Sequence, residues 1–564
     1  MDMKKTIHEL ILNALGAALS EGELPEEPIP AFVVEQPGDP AHGDFACNAA
    51  MASARAFKKA PRAIAEIITK HIVLEGTGLE RVEIAGPGFI NFYAGPSYFA
   101  GILSEVEEQG AKYGCSDAGQ GKRVLLEYVS ANPTGPMHLG NARGGALGDS
   151  LASIMKAAGY YVEREFYVND AGNQIEKFAL SLDIRYQQLI KGEDAVEMPE
   201  DSYHGEDIVE HAKAFRAQYG DEWLDKSEKE RRTELVKFAL PLNIERMKKD
   251  LGKYHIEYDN WFFESLLHNE GEVKAVIDGL TERGLTYEKD GAVWYKATEF
   301  GGEKDEVLVR NNGIPTYFAA DIAYHRNKFL TRGFDICINV WGADHHGHVA
   351  RLRGAMDAIG LDGSKLEIVL IQLVNLMSGG ERVRMSKRTG KAIQLADLLD
   401  EVPVDAARFF FAQRESTSKM DFDLELAVQQ NSQNPVYYVQ YAHARICSIF
   451  RKYAENGGQF TPAGKAALER LGEPTELELI RHIASFPEEI AASAAEREPA
   501  RIVRYTTELA SKFHKAYNAC RIISDDAELT QARLTMCDCA RKVIANALAM
   551  MQISAPERMA EAAA

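Results

Sequence analysis

No run of about 18 consecutive apolar residues occurs in the chain, so the sequence offers no helix able to cross a bilayer. The opening MDMKKTIHELILNAL lacks a secretory pattern; Ile7, Leu10, Ile11, Ala14 and Leu15 instead mark one side of an amphipathic helix. A cytoplasmic protein is the expectation. The seven cysteines are scattered, and the one close pair, Cys537 and Cys539, is separated by a single residue inside a helical apolar pattern. That is not zinc spacing, and buried free thiols in a reducing compartment are the simpler reading. Basic charge is in deficit: 64 Lys and Arg against 84 Asp and Glu leave a net charge of −20, which argues against broad, non-specific nucleic-acid binding. An RNA partner would need a local basic face. Apolar residues nevertheless make up 46% of the 564 residues, enough to build cores for roughly three or four domains.

The stretch VLLEYVSANPTGPMHLGNARGG, from Val124 to Gly145, organises the rest. Val124 to Tyr128 is an apolar run of strand type, Asn132 to Pro136 must be a loop, and from Leu139 onward apolar residues return at helical spacing. Leu147, Leu151, Ile154 and Ala158 fall on one helix face, and Tyr160 to Val168 reads as a second strand, completing a βαβ unit. Gly135, Gly140, Gly144 and Gly145 would let phosphates or a flat base approach the backbone beside a helix N-terminus that favours anions. The segment is neither a Walker loop nor a GxGxxG fingerprint, and glycine-rich turns are common. Alone it leaves a nucleotide site and a plain turn equally open.

Two later segments bear on that choice. The strand Ile336 to Trp341 ends in Gly342-Ala-Asp344-His345-His346-Gly-His348, at the carboxyl end of a sheet strand where ligands sit. Its three histidines invite a metal reading, but neither a cysteine nor a helical His-x-x-x-His accompanies them, so no metal ligand is assigned. A strand-like run from Leu366 to Leu376 then leads to Ser378-Gly-Gly-Glu-Arg-Val-Arg-Met-Ser-Lys387-Arg-Thr-Gly390. Glycines on both sides of Arg384, Lys387 and Arg388 suit a loop that closes over phosphates; alone it would be a surface charge run.

Around this core, residues 1–115 read as an α+β module, with helical patterns at 7–19 and 49–72 and an alternating strand around a turn from Arg81 to Tyr93. Residues 116–400 form the nucleotide fold, with a charged helical insertion at about 190–300 that ends in a hairpin. From 401 to 564 the chain is helical, without convincing strand runs. Arg501, Arg504, Lys512 and Lys515 cluster on one side of a helix whose other side carries Ile502, Thr506, Leu509, Phe513 and Tyr517. Glu508 shares the basic side, so RNA contact and a solvated face stay equally open.

His138-Leu-Gly-Asn141 resembles the HIGH signature of class I aminoacyl-tRNA synthetases, and Arg384-Met385-Ser386-Lys387 resembles their KMSKS loop. The longer EYVSANPTGPMHLGNARGG resembles the arginyl-tRNA synthetases in particular, with matching features over nearly all of the chain. Asn141 and Arg384 depart from the idealised motifs, each keeping a hydrogen-bond donor. The resemblance implies an α/β fold: a Rossmann-type core with an insertion, an N-terminal domain that meets the tRNA, and an all-α anticodon-binding domain. It implies a monomer that attaches L-arginine to its cognate tRNA through an adenylate, with ATP as substrate and Mg²⁺ bound through ATP. His138, Asn141 and Lys387 would be catalytic. Gly140, Gly342, Asp344, His345, His348, Met385 and Ser386 would contact ATP, while Glu127, Tyr317 and Asp321 hold the guanidinium and Ser130 and Asn132 orient the α-amino and carboxylate groups. On residue chemistry alone, a strand-end salt bridge is the preferred reading of Glu127. A synthetase-like tRNA-binding protein without activity is the alternative, and the presence of His138 and Lys387 weighs against it. A different amino-acid specificity is weakened by the set Glu127, Asn132, Tyr317 and Asp321.

Overall fold

Five short apolar runs supply the central sheet: β1 (Arg123–Glu127), β2 (Tyr161–Val168), β3 (Asn260–Phe263), β4 (Ile336–Gly342) and β5 (Leu366–Ile371). They pair in parallel in the order β5-β4-β1-β2-β3. Val124, Leu125 and Leu126 of β1 are wholly buried, as expected of a central parallel strand covered on both faces. The strand order reverses between β1 and β4, so the chains leaving their carboxyl ends diverge and open a crevice. Three helices flank it: α1 (Leu139–Ala157), α2 (Tyr317–Arg326) and α3 (His346–Ala358). The computed structural model describes residues 3–383 and 393–559.

Helix α1 buries Leu147, Leu151 and Ile154, and its C-cap Ala158 continues the face expected from their spacing. It lies so close to its neighbours that a Cβ at Gly148 would stand 2.4 Å from Tyr128 Cγ, and one at Gly145 2.7 Å from Ile256 Cδ1. Gly145 therefore serves core packing rather than the approach of a ligand, whereas a Cβ at Gly140 would meet open space.

Several boundaries differ from the sequence reading. The pattern at 49–72 is two helices, Ala49–Phe57 and Pro61–His71, because Lys58 caps the first in a left-handed conformation and Pro61 opens the second. The run from Leu366 to Leu376 breaks at Gln372 and Leu373, so that β5 and the strand Val374–Ser378 belong to different sheets. The expected insertion at 190–300 contains β3, a four-residue edge strand of the central sheet too short to announce itself. Helices Asn173–Lys191, Glu206–Tyr219 and Glu228–Lys253 before it share a separate core around Phe178, Tyr186 and Phe215. Past residue 401 the strand Met420–Asp423 pairs in parallel with Val374–Ser378, so strand structure persists into the segment expected to be wholly helical.

The last five long helices, Pro435–Glu455, Pro474–Ala484, Phe486–Glu496, Ala500–Ala519 and Ala527–Met550, pack together. The N-terminal module docks on them: Tyr113 Oη donates to the Ile483 carbonyl at 3.1 Å, Asn546 Nδ2 to the Gly110 carbonyl at 2.9 Å, and Lys542 pairs with Glu107 at 2.8 Å.

Candidate active site

The segment leaving β1 is held in an unusual backbone path. Val129 and Ser130 have φ of +68° and +40°, left-handed values that are costly for a β-branched residue. The surroundings hold the bend: Ser130 Oγ donates to Glu127 Oε1 at 3.1 Å and accepts the Tyr167 N–H at 3.1 Å. At the end of this segment His138 is the N-cap of α1, and its N–H donates to Asn141 Oδ1 at 3.0 Å. Asn141, standing where a second histidine was expected from the motif, thus spends its oxygen on capping and keeps its amide N–H₂ as a donor. The chain returning from the second motif is stitched alongside, Leu139 N–H donating to the Ile393 carbonyl at 3.2 Å and Leu395 N–H to the Met137 carbonyl at 3.0 Å. Met385, Ser386 and Lys387 lie outside the described residues.

A cavity of about 700 Å³ occupies the crevice. Glu127, Ser130 and Asn132 line it from β1, Gly140 and Asn141 from α1, Asp321 from α2, and Gly342, Asp344, His345 and His348 from the end of β4 and the start of α3. An adjoining cavity of about 1040 Å³ takes His138 and shares Ser130, Asn132, Asn141 and His345 with the first. Tyr317 is not brought to either wall. Its hydroxyl accepts the Asn173 N–H at 3.0 Å and the ring is partly exposed, because the start of α2 faces the helix Asn173–Lys191.

His348 stands differently from the adenosine contact expected of it. Its Nδ1 accepts from Arg351 Nε at 2.5 Å, which places the ring proton on Nε2, where it donates to Asp321 Oδ2 at 3.0 Å. Arg351 is held in turn by Glu306 at 2.9 Å. Both ring nitrogens are engaged, so His348 orients Asp321. Asp344 and His345 stay exposed at the rim, 3.7 Å apart.

Beneath the cavity lies a polar network that the sequence reading missed. Glu127 makes the strand-end salt bridge: its Oε2 is 2.6 Å from the ammonium of Lys328, which is fully buried. Lys328 also donates to Asn339 Oδ1 at 3.0 Å; Asn339 Nδ2 meets His325 Nε2 at 2.8 Å, and His325 Nδ1 meets the Asp321 carbonyl at 2.8 Å. Burial, reinforced by the nearby Lys328 charge, holds His325 well below its ordinary value and hence neutral. One signal was available: Asn339 sits in an otherwise apolar central strand, where an unpaired amide would be costly.

The basic side of the helix Ala500–Ala519 is largely spoken for. Arg501 pairs with Glu489 at 3.0 Å and Glu496 at 3.1 Å, while Lys512 and Lys515 both reach Glu478, at 3.0 and 2.6 Å. A different surface of the helical region exposes aromatic rings: Tyr437 and Tyr441 stack at 6.3 Å, and the Arg445 guanidinium lies 4.6 Å from the Tyr441 ring and 5.1 Å from that of Tyr517.

A doubly wound parallel sheet whose first strand leads through His138-Leu-Gly-Asn141 into a glycine-bearing helix, with the return from the second motif paired alongside, defines the catalytic domain of a class I aminoacyl-tRNA synthetase. Residues 103–449 match the family of class I (R) tRNA synthetase catalytic domains, residues 5–94 the arginyl tRNA synthetase N terminal domain, and residues 439–559 the DALR anticodon binding domain. The chain belongs to the arginyl-tRNA synthetase family. It is 53% identical to the arginine–tRNA ligase of Ruminiclostridium cellulolyticum over 558 residues and 54% identical to that of Caldanaerobacter subterraneus subsp. tengcongensis over 556, covering 99% of both chains in each case. Its fold matches that of Thermus thermophilus arginyl-tRNA synthetase with a TM-score of 0.74 at 22% identity, covering 99% of this chain and 100% of that one.

Proposed function

We propose a division of labour within the crevice for the ATP-dependent ligation of arginine to its tRNA, the activity that the full-length relatives carry. In the first step a carboxylate oxygen of arginine attacks the α-phosphorus of ATP and pyrophosphate leaves. In the second the terminal ribose 2′-hydroxyl of the tRNA attacks the adenylate carbonyl and AMP leaves. Such transfers need positioning and neutralisation of developing charge more than covalent help. His138, the backbone N–H groups near Gly140, and the Asn141 amide stand at the N-terminus of α1, where an anion is favoured, and receive the phosphates. Lys387 of the second motif completes the charge around the leaving pyrophosphate, with Met385 and Ser386 contacting ATP. Gly342, Asp344 and His345 take the adenosine end. Mg²⁺, when bound with ATP, would supply charge neutralisation at the phosphates; Glu127 and Asp321, already engaged by Lys328 and His348, do not offer it a dedicated cage.

The observation that carries the arginine reading is the pair of carboxylates, Glu127 and Asp321, on the walls of one cavity beside Ser130 and Asn132. A guanidinium presents a planar fork of donors and is matched by carboxylate acceptors. Tyr317 joins this set only if the start of α2 turns toward the substrate. For the tRNA, the N-terminal module meets the body of the molecule, and the exposed Tyr441, Arg445 and Tyr517 surface offers unpaired anticodon bases a stacking platform. The chain works as a monomer in the cytoplasm. Arginine-dependent exchange of pyrophosphate into ATP, run with and without tRNA, tests the reading; exchange stimulated by another amino acid and not by arginine would overturn it.

A further inference from the structure

Lys328 is wholly buried, and a buried ammonium is tolerated only when its protons are matched. It stands in a π-helical turn, Asn327–Thr331, that directly continues α2; such a turn re-aims a side chain that a regular helix would send elsewhere. Its three protons face Glu127 Oε2 at 2.6 Å, Asn339 Oδ1 at 3.0 Å and the ring of Tyr324, whose centroid is 3.9 Å away. The hydrogen bonds then run in one consistent direction. Asn339 donates to His325, and His325 donates to the main-chain carbonyl of Asp321. One continuous chain of donors and acceptors therefore runs from the Glu127 carboxylate to the main-chain carbonyl of Asp321.

We infer that Lys328 is a positioning residue for the amino-acid substrate: it holds Glu127 as a charged acceptor with only Oε1 turned to the cavity, and through Asn339 and His325 it fixes the backbone that carries Asp321. This rests on the assignment of arginine to the Glu127 and Asp321 cavity. The electrostatic consequence is simple. Two carboxylates facing one guanidinium would leave an excess negative charge in a poorly solvated site; Lys328 supplies the missing counter-charge from below, so the occupied pocket is neutral. Ser130, which donates to Glu127 Oε1, keeps that oxygen directed at the cavity while leaving a lone pair for the substrate.

Other ionisable groups pack around Glu127 from the neighbouring elements. Burial raises the phenols of Tyr167 on β2, Tyr258 ahead of β3 and Tyr324 on α2, and pushes the Cys337 thiol on β4 up to about 12. Glu165 on β2 is engaged by Arg332 and by the Tyr324 hydroxyl, and Glu264 ahead of α2 is raised by burial.

The test is arginine-dependent pyrophosphate exchange by the full chain carrying Lys328→Met, with kcat and the KM values for arginine and for ATP measured separately. Without the ammonium, Glu127 loses its buried counter-charge and the contact that fixes its carboxylate. KM for arginine is expected to rise by about tenfold or more, with KM for ATP and kcat changed by less than about threefold. Lys328→Arg, which keeps the charge, restores most of the loss. Should Lys328→Met fold poorly, the same substitution is made on Glu127→Gln, where no charge remains to be held; there it adds less than about twofold to KM for arginine. An arginine KM within about twofold of the parent, an equal loss in kcat and in KM for ATP, or full additivity in the double variant makes Lys328 a core ion pair only and overturns the inference. A parent enzyme without arginine-dependent exchange would instead overturn the substrate assignment itself.

Discussion

At Asp321 two demands meet on one carboxylate: Oδ2 accepts the His348 proton, and the other oxygen is left for the cavity. Asp321→Asn keeps the shape and removes the charge. It is expected to lower kcat/KM for arginine by about 10²-fold, the order of a lost charge-assisted hydrogen bond, while sparing KM for ATP. Steady-state exchange kinetics check this, and an unchanged kcat/KM for arginine would sink the assignment. Asp321 was legible because a guanidinium calls for carboxylates and the motif resemblance singled it out. Lys328, His325 and Asn339 were not, since each is an ordinary residue until the π-helical turn and β4 bring them together. Tyr317 shows the reverse case: one helical turn from Asp321 in sequence, it is directed by its position on α2 toward Asn173.

Among the elements, α1 was the most readable, because its apolar spacing predicts its buried face and the glycines mark its N-terminus. What each glycine does depends on the neighbour. Gly148 packs against the Tyr128 ring, and Gly148→Ala should destabilise the protein by about 1–3 kcal/mol, because a buried ring in a packed core cannot retreat from a Cβ at 2.4 Å. Thermal unfolding of the variant is the measurement, and an unchanged Tm would contradict the packing. The helix Ala500–Ala519 teaches the opposite lesson. Its amphipathic pattern was plain, and Glu508 on the same helix pairs with Lys512, yet Glu478 and Glu489, which hold Lys512, Lys515 and Arg501, come from other helices that no helical wheel of this segment contains. The exposed aromatic surface is the better candidate for RNA. Tyr441→Ala should raise KM for tRNA by about tenfold, the order of one lost base stack, with arginine-dependent exchange unchanged in KM for arginine and ATP. Equal tRNA titrations for parent and variant would leave this surface without an RNA role.

Over the whole molecule, burial sets an acid limit. His325, His443, His482 and His514 are all held below the ordinary value of 6.5 chiefly by desolvation, His514 down to about 4 with help from the Arg445 charge. The unfolded chain takes up these protons near pH 6.5 and the folded chain does not, so their contribution is complete above that pH and is lost as pH falls toward 4. Asp207, Asp250, Glu264 and Glu498, raised by burial, act with the opposite sign, gaining stability as pH falls through their raised values. The Tm should therefore fall between about pH 7 and 5.5, and His514→Gln should flatten that fall; a Tm constant over this range would contradict the buried histidines.

The linear sequence determined the parts whose physics is local or whose motif is contiguous: the βαβ unit around Val124 to Val168, the helical character of most of the C-terminal region, the hairpin at Thr286–Lys289 and Ala292–Tyr295, and the residues that lead into α1. Periodicity and turn chemistry act over a few residues, so they can be read without a fold. Tertiary structure alone decided that β3 and the strand Met420–Asp423 exist as sheet members, that His348 serves Asp321, and that Lys328 lies under Glu127 some two hundred positions away. Short edge strands gain their stability from a partner, and a buried charge is permitted only by a counter-charge brought to it. Both depend on which distant segments meet, and neither leaves a periodic trace in the chain.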